Sequence, residues 1–186
     1  TGKDWIAENG SDVRVVADLV YSKTGGRVAT WVLAVPDESP VRSIHDLNGK
    51  TVATELVEYT RNYFSERGVD VVVEFSWGAT EGKAVSGLAD AVVELTETGS
   101  TIRAHGLRVI DQLMETNTQF IASHDAWQDP EKREKIEQIA LLLKGALLGA
   151  RLVGLKMNVS EACLDAVVGL LPSMKAPTVA HLYNAD

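Results

Sequence analysis

Short apolar segments rich in β-branched residues alternate along the chain with segments of helical pattern, and this alternation constrains the fold more than any other feature. Three of the strand-like segments are residues 31–35, 51–54 and 91–95. Helical segments at about 56–67 and 80–88 lie between them. Strands that alternate with helices are typical of α/β proteins whose strands pair in parallel. The sequence therefore predicts an α/β fold with largely parallel pairing.

Capping residues, prolines and glycines mark the ends of several predicted helices. Ser39 followed by Pro40 predicts the start of a short helix, because a side-chain cap before a proline is typical of a first helical turn. Gly68 predicts the left-handed residue that follows a helix. Asp129 followed by Pro130 predicts the start of a long helix. Apolar residues spaced by three and four predict one buried stripe along that helix: Ile136, Ile139, Ala140, Leu143 and Leu147.

The end of the chain repeats the alternation on a smaller scale. We expect a strand over residues 152–157, a helix over 160–171 and a second strand over 178–183. Pro172 and Pro177 bracket the turn between that helix and the second strand. This part of the chain is therefore predicted to have a strand-helix-strand pattern of its own.

The composition narrows the classes of partner. The 186 residues carry a net charge of -8, whereas general nucleic-acid binders need Lys and Arg to displace phosphate counterions. The apolar stretch 136–157 is interrupted by Lys144, Arg151 and Lys156, and a membrane span needs about 20 mostly apolar residues. No secretory leader is visible, and the lone Cys163 fits a reducing compartment. We therefore expect a cytoplasmic protein that binds neither nucleic acid nor membrane.

A loop rich in hydroxyl groups follows the predicted strand 91–95. It contains Thr98, Gly99, Ser100 and Thr101 and leads towards a predicted helix. Main-chain N–H groups at such a turn, together with the positive end of a helix, hold a phosphate without help from lysine. Gly99 allows the backbone to approach an anion closely, and the hydroxyl groups add donors. Taken alone, the same four residues also fit an ordinary capped turn.

A longer pattern surrounds this loop, and its residues are Glu81, Gly87, Ala89, Asp90, Val92, Glu94, Leu95, Thr98, Gly99 and Thr101. In residue type and spacing this pattern resembles the signature of the ATP phosphoribosyltransferase family in its long form. Further segments that resemble the family are residues 1–5, 31–36, 53–57, 75–81 and 154–159. The resemblance therefore covers essentially the whole chain.

The resemblance implies a catalytic region with the two-lobed fold of type II periplasmic binding proteins, followed by part of a ferredoxin-like α+β domain. Residues 1–36 and 115–151 would form a first, incomplete lobe, and residues 37–114 a second lobe that carries the loop. Residues 152–186 would begin a C-terminal regulatory domain. The resemblance places the chemistry in the cleft between the two lobes.

The resemblance also implies roles for individual residues. The loop from Glu97 to Thr101 would hold the 5-phosphate of phosphoribosyl pyrophosphate, and Glu94 would bind the ribose hydroxyl groups. Many family members have Asp where Glu94 stands, and the longer side chain alters the geometry at the ribose. Arg103 follows the loop and either contacts a substrate phosphate or faces solvent.

The family reaction joins a purine nitrogen of ATP to the anomeric carbon of 5-phosphoribosyl 1-pyrophosphate and expels pyrophosphate, the first step of histidine biosynthesis. Two acids, Glu94 and Glu97, beside such a polyanion favour a bridging Mg²⁺ ion, whose protein ligands the sequence leaves unassigned. Their spacing of three across a strand end disfavours the paired carboxylates of a glycosidase. The alternative function is a two-lobed small-molecule binding or effector-sensing module without catalysis, which shares this architecture.

The resemblance further implies that the chain is a fragment. Family members begin with a strand and a Lys-Gly-Arg turn that contribute to the cleft, and this segment is not seen here. We therefore expect the isolated 186 residues to have little or no activity. In the long form of the family the C-terminal domain binds histidine and inhibits the enzyme, so histidine is expected as a feedback inhibitor of the full-length protein. Only the first half of that domain is visible here, so feedback inhibition of the 186 residues alone is not expected. The family forms dimers and hexamers, so a homo-oligomer is expected.

Overall fold

The computed structural model describes residues 1–21, 28–150, 152–171 and 178–181. The chain forms two compact units, Thr1–Arg151 and Leu152–Asp186. All strands of the described residues belong to the first unit. The finer division of the first unit into two lobes stays a prediction.

The first unit has seven strands and six α-helices among its described residues. The strands are β1 (Arg14–Leu19), β2 (Ala29–Pro36), β3 (Thr51–Thr54), β4 (Val72–Phe75), β5 (Ala91–Thr96), β6 (Leu107–Thr116) and β7 (Thr118–Ala122). The helices are α1 (Lys3–Glu8), α2 (Val57–Ser65), α3 (Thr80–Val85), α4 (Ser100–Ala104), α5 (His124–Gln128) and α6 (Pro130–Gly149). The second unit contains a 3-10 helix (Glu161–Cys163) and α7 (Leu164–Leu170).

Five strands form one sheet in the order β4-β3-β5-β2-β6. β3 pairs in parallel with β4 and with β5, whereas β2 pairs antiparallel with β5 and with β6. β1 and β7 form a separate antiparallel pair. The expected parallel pairing therefore holds for β3, β4 and β5 and is wrong at β2, because strand direction depends on contacts between distant segments that alternation does not encode.

The core lies on both faces of this sheet. β2 is buried from Trp31 to Val35. On one face Leu33 packs in a cluster that contains Phe64 of α2. On the other face Val32 packs in a cluster that contains Ile102 of α4 and Ala84 of α3. The sheet is therefore the middle of three layers, and its central strands are apolar on both sides, as expected for a strand covered by helices on both faces.

The first turn of α2 is capped by a carboxylate from α1. Leu56 stands at the N-cap position and makes no side-chain cap bond. The Glu8 carboxylate accepts hydrogen bonds from the main-chain N–H groups of Glu58, at 3.0 Å, and Tyr59, at 2.8 Å. At the other end Gly68 has φ +67°, which confirms the predicted left-handed exit. Glu8 thus satisfies N–H groups that the first helical turn leaves without partners.

The short helix that the sequence predicts at Ser39 begins later. The structure has a 3-10 helix at Ile44–Leu47, which follows Ser43. The Asp46 carboxylate accepts a hydrogen bond from the Ser43 N–H at 2.9 Å, completing a capping box. The prediction is wrong because the Ser39 hydroxyl accepts instead from the N–H of Val41, at 3.3 Å, in a local turn.

Helix α6 begins as predicted, but its apolar stripe is not buried. The Asp129 side chain accepts from two main-chain N–H groups of the first turn. Of the stripe residues Ala140 is buried, whereas Ile139 is 47% exposed. Periodicity identifies residues that share a helix face, while burial depends on what packs against that face. Within the described part of the chain, no helix, α6 included, is both long and apolar enough to cross a bilayer.

The second unit shows one of its three expected elements. Residues 152–157 form no strand, and that prediction is wrong, because a strand needs a neighbour to pair with and the described residues of this unit supply none. The helix predicted over 160–171 is confirmed as the 3-10 helix followed by α7. The predicted strand 178–183 is not formed in residues 178–181, and its remainder, like the turn at 172–177, lies outside the described residues.

Replacing Leu33 by alanine should destabilise the first unit by about 2–5 kcal/mol, because Leu33 is fully buried in β2 and its loss leaves a cavity. Leu141→Ala is the matched control, since Leu141 is 72% exposed on α6 and its loss should cost less than about 0.5 kcal/mol. Chemical denaturation measures both values. Equal losses in the two variants would contradict the position of β2 in the core.

Candidate functional site

Glu94 stands near the carboxyl end of β5 and is half-buried. Its Oε1 accepts a hydrogen bond from the main-chain N–H of Leu95 at 3.3 Å. The pKa of Glu94 is raised to about 7, first by burial and then by the negative charges of Glu81 and Glu55. Near neutral pH this side chain is therefore divided between its charged and neutral forms.

Residues 97–99 form the bend between β5 and α4. Gly99 has φ +69°, in the left-handed region that favours glycine. Its N–H donates to the Thr96 hydroxyl oxygen at 2.8 Å, and the Ser100 N–H donates to that of Thr98 at 3.4 Å. The Thr98 and Ser100 hydroxyl oxygens lie 2.8 Å apart. The main-chain N–H groups of Gly99 and Ser100 thus already have hydroxyl partners within residues 96–100.

The first intrahelical hydrogen bond of α4 runs from the Arg103 N–H to the Gly99 carbonyl, at 3.1 Å. The N–H groups of Thr101 and Ile102 precede that bond, and the first N–H groups of a helix have no partner within it. The N–H groups of Thr101 and Ile102 are therefore main-chain donors without a partner inside the helix.

The Arg103 side chain lies against the bend. Its Nη2 donates to the Thr98 carbonyl at 3.1 Å. A Cβ atom added at Gly99 would lie 2.8 Å from Arg103 Nη1. The bend therefore needs glycine at this position both for its backbone conformation and for the arginine that covers it. The guanidinium also places a positive charge beside the hydroxyl groups of Thr98 and Ser100, which favours an anion there.

A cleft of about 200 Å³ opens beside the bend. Leu95 and Glu97 line it from the end of β5, and Asp4, Tyr21 and Asn117 line it from other parts of the first unit. Of the predicted loop, Glu97 is the residue that reaches this cleft. The cleft therefore joins the predicted phosphate loop to segments near the beginning of the chain and near the end of β6.

Asp4 organises one wall of the cleft and is 6% exposed. Its Oδ2 accepts from the Trp31 indole N–H at 2.8 Å, and its Oδ1 accepts from the Trp5 main-chain N–H at 2.9 Å. Its own N–H donates to the Thr116 hydroxyl at 3.2 Å. A Cβ atom at Gly2 would lie 2.0 Å from Asp4 Oδ1. These bonds hold α1 against β2 and β6, and Gly2 leaves room for the carboxylate.

Two further carboxylates lie near Glu94, and sequence reasoning assigned neither of them a role. In the parallel pairing of β3 with β5, Thr54 is opposite Val93, so Glu55 follows beside Glu94. Glu81 lies in the first turn of α3, after Ala79, a non-glycine residue with φ +50°. A left-handed alanine is strained, and such strain is frequent at functional sites. The position of Glu55 directly after a predicted strand is the signal that could have found it.

The structure brings Glu94, the bend and Arg103 together at one end of β5, so the residues singled out from the sequence are neighbours. Their assignment to ribose and phosphate stays a prediction. In residues 1–21, 28–150, 152–171 and 178–181 there is no group of three or more His, Cys, Asp or Glu side chains arranged to hold a metal ion. The site therefore supplies no preformed set of metal ligands in that part of the chain.

Two solved structures show the fold class. The ATP phosphoribosyl transferase (HisG:HisZ) complex from Thermotoga maritima matches with a TM-score of 0.68 at 23% identity, over 80% of this chain and 68% of that chain. The periplasmic aliphatic sulphonate binding protein SsuA from Escherichia coli matches with a TM-score of 0.53 at 17% identity, over 80% of this chain and 53% of that chain. The α/β fold expected from the sequence, like that of type II periplasmic binding proteins, is confirmed.

Sequence comparison identifies the family. The family model described as ATP phosphoribosyltransferase matches residues 1–145, and the model of the HisG C-terminal domain matches residues 150–186. The ATP phosphoribosyltransferase of Desulfosudis oleivorans is 68% identical over 186 residues, which are 100% of this chain and 64% of that protein. This chain belongs to the ATP phosphoribosyltransferase family, and it spans 64% of the length of that curated relative.

Gly99→Ala should destabilise the first unit by about 1–2 kcal/mol, because alanine is strained at φ +69° and its Cβ would displace Arg103. Gly145→Ala is the control: Gly145 lies in α6 with no atom within 4 Å of an added Cβ, so the change should stabilise by about 0.5–1 kcal/mol. Denaturation with urea measures both effects. Stabilisation in both variants would show that the bend does not have the described conformation.

Glu94→Gln should raise stability at high pH. Because the pKa in the folded chain, about 7, lies above the ordinary glutamate value of 4.5, the folded state holds the proton more tightly than the unfolded state. Stability therefore falls as pH rises from about 4.5 to about 7, and glutamine removes this loss. After allowance for solvent screening, the variant should gain about 1–2 kcal/mol at about pH 8 and little at about pH 4.5.

The control for this measurement is Glu38→Gln, since Glu38 is exposed. Its stability should follow that of the unaltered chain at every pH. A gain in Glu94→Gln that is the same at low and high pH would contradict the raised pKa.

Proposed function

We propose that the full-length protein transfers the phosphoribosyl group of 5-phosphoribosyl 1-pyrophosphate to ATP and releases pyrophosphate. This is the first step of histidine biosynthesis. The observation that supports the proposal most directly is the bend at residues 97–99 and the first residues of α4, with Arg103 against them, at the end of β5 in a chain of the ATP phosphoribosyltransferase family. Such a bend offers an anion both hydrogen-bond donors and positive charge.

The bend would hold the 5-phosphate of the donor. The N–H groups of Thr101 and Ile102 precede the first bond of α4, and the Thr98 and Ser100 hydroxyls, now bonded to each other, would turn towards the phosphate. The Arg103 guanidinium, which already lies against the bend, would neutralise part of the charge of the phosphate. Several hydrogen bonds to one charged group add up to tight binding without a lysine, since each contributes about 1.5–3 kcal/mol.

Glu94 would bind the two ribose hydroxyl groups. It stands near the end of β5, the strand that leads into the bend. An ionised carboxylate has two oxygens that accept, so both hydroxyls can donate to it at once. This contact would fix the orientation of the sugar ring relative to the phosphate held by the bend.

The chemistry requires positioning more than a protein nucleophile. A nitrogen of the purine forms a bond to the anomeric carbon while the bond from that carbon to the pyrophosphate oxygen breaks, and the leaving group departs with the electron pair. Positive charge develops on the sugar and negative charge on pyrophosphate, so oriented dipoles and a shielded cleft lower the barrier. We propose that the second substrate binds in the cleft beside the bend, which Glu97 lines.

Magnesium is proposed to enter with the donor. In the part of the chain that the structure describes, no cluster of His, Cys, Asp or Glu forms a preformed metal site. Mg²⁺ keeps several water ligands and commonly binds through the phosphates of a nucleotide or sugar pyrophosphate. We therefore assign it no protein ligand here, and its contribution would be to neutralise the charge of the pyrophosphate.

The remaining proposals concern partners and location. One solved structure with this fold is a complex of HisG with HisZ, and we propose that the full-length protein also assembles, as a dimer or hexamer. The match of residues 150–186 to the HisG C-terminal domain supports a regulatory role in which histidine inhibits the full-length protein. The exposed, unpaired Cys163 supports a cytoplasmic location, where thiols stay reduced.

Thr101→Val should weaken donor binding by about 10- to 150-fold in the full-length protein, because it removes one hydroxyl donor to a charged phosphate. Isothermal calorimetry with 5-phosphoribosyl 1-pyrophosphate and Mg²⁺ measures the change. Thr178→Val is a matched control, since Thr178 is exposed in the second unit, and it should leave the affinity unaltered.

Unchanged donor affinity in Thr101→Val would remove the phosphate role from the bend. The same calorimeter separates the enzyme from the alternative binding module. If amino acids or sugars bound and the sugar pyrophosphate did not, the transferase proposal would be wrong and the binding-module alternative would replace it.

A further inference from the structure

The first residues of the chain already pair with one edge of β7. The Gln119 N–H donates to the Thr1 carbonyl at 2.7 Å, and the Thr1 amino group donates to the Gln119 carbonyl at 3.0 Å. Gly2 lies opposite Thr118 in antiparallel orientation. Two residues that exchange both hydrogen bonds in this way form a rung of an antiparallel ladder. The start of the chain therefore runs beside β7 as the end of a strand.

The same edge of β7 continues beyond Gln119. Alternate residues of a strand direct their N–H and C=O groups to the same edge. The Asn117 carbonyl follows this rule, because it accepts from the Lys3 N–H at 3.0 Å. The N–H and C=O groups of Ile121 therefore point to the edge at which Thr1 is paired. Among the residues that the structure describes, the strand paired with β7 is β1, which lies along the opposite edge.

The continuity of the chain indicates what occupies the rest of this edge. The 186 residues span 64% of the length of the Desulfosudis oleivorans relative, so a protein of that length has residues outside them. An open sheet edge is a template for pairing with further chain. Residues directly before Thr1 would reach the open part of β7 without any loop, and in the antiparallel direction already set by Gly2. A strand of a second copy would instead have to stop at Thr1 or displace it.

We propose that, in the full-length protein, the residues before Thr1 form a strand antiparallel to β7 and complete a three-stranded sheet with β7 and β1. The observed pairs set its register. The residue directly before Thr1 lies opposite Phe120 in a pair without hydrogen bonds. The residue before that one lies opposite Ile121 and exchanges both hydrogen bonds with it.

This strand ends at the cleft beside the bend. Gly2 and Asp4, which follow the strand, line the cleft, and so do Asn117 and Thr118 from the other side of the ladder. Open α/β sheets bind ligands at the carboxyl ends of their strands. Pairing along β7 would therefore fix the position of one wall of the cleft. The inference is independent of the proposed function, since no substrate enters it.

Hydrogen exchange of the full-length protein, followed by NMR at single amides, tests the pairing without any variant. The Gln119 N–H is the internal reference, because its partner Thr1 is described. The Ile121 N–H should exchange at least about 100-fold more slowly than an unprotected amide, and at a rate within about tenfold of that of Gln119. An Ile121 amide that exchanges at the unprotected rate while Gln119 is protected would overturn the inference.

A disulfide tests the register and the identity of the partner. In full-length protein without other cysteines, which includes Cys163→Ser, one cysteine replaces the residue directly before Thr1 and Phe120→Cys supplies the second. The Cα atoms of such a pair lie about 4.5 Å apart, a separation that a disulfide spans. Oxidation should give a cross-link within one chain, identified by mass spectrometry of the digested protein.

The matched control replaces Phe120→Cys by Ile121→Cys. The Ile121 side chain points to the opposite face of the strand, so this pair should give no cross-link. A cross-link with Ile121→Cys in place of Phe120→Cys would show that the register is wrong. Cross-links between two chains would show that a second copy occupies the edge. Either result would overturn the inference, and the exchange of the Ile121 amide decides it if Phe120→Cys does not fold.

Discussion

β5 lies at the centre of the five-stranded sheet, with β3 parallel on one side and β2 antiparallel on the other. Val92 and Val93 are both fully buried, and they point to opposite faces of the sheet. A shift of register by one residue would exchange those faces, so burial on both sides holds β5 in one register. The burial of Val92 and Val93 therefore also fixes the position of the polar residues that follow them, from Glu94 to the bend.

The site that results has two regions of opposite character along one short stretch of chain. Around Glu94, the negative charges of Glu81 and Glu55 raise the pKa of its carboxyl group, and the apolar Val32 of β2 is its partner across the sheet. Just beyond it, the bend presents hydroxyl groups beneath the guanidinium of Arg103. Under the proposed function, Glu94 would bind the hydroxyl groups of the ribose and the bend would bind its 5-phosphate.

Much of the fold could be predicted from local pattern. Strand β3 has the bounds expected for it, and Gly68 ends its helix in the left-handed conformation. The failures share one cause. The reversed direction of β2, the exposed stripe of α6 and the absence of a strand over residues 152–157 all depend on what lies opposite each segment. Periodicity and propensity describe a segment by itself and carry no information on its partner.

The sequence by itself determined the alternation of strands and helices, the hydroxyl-rich bend after β5 and the family to which the chain belongs. Only the tertiary structure decided that Glu55 and Glu81 stand beside Glu94, and that Asp4 holds Trp31 at the wall of the cleft. The physical reason is that these contacts join residues far apart in the chain. Their proximity follows from strand register and helix packing, which act on the folded molecule as a whole.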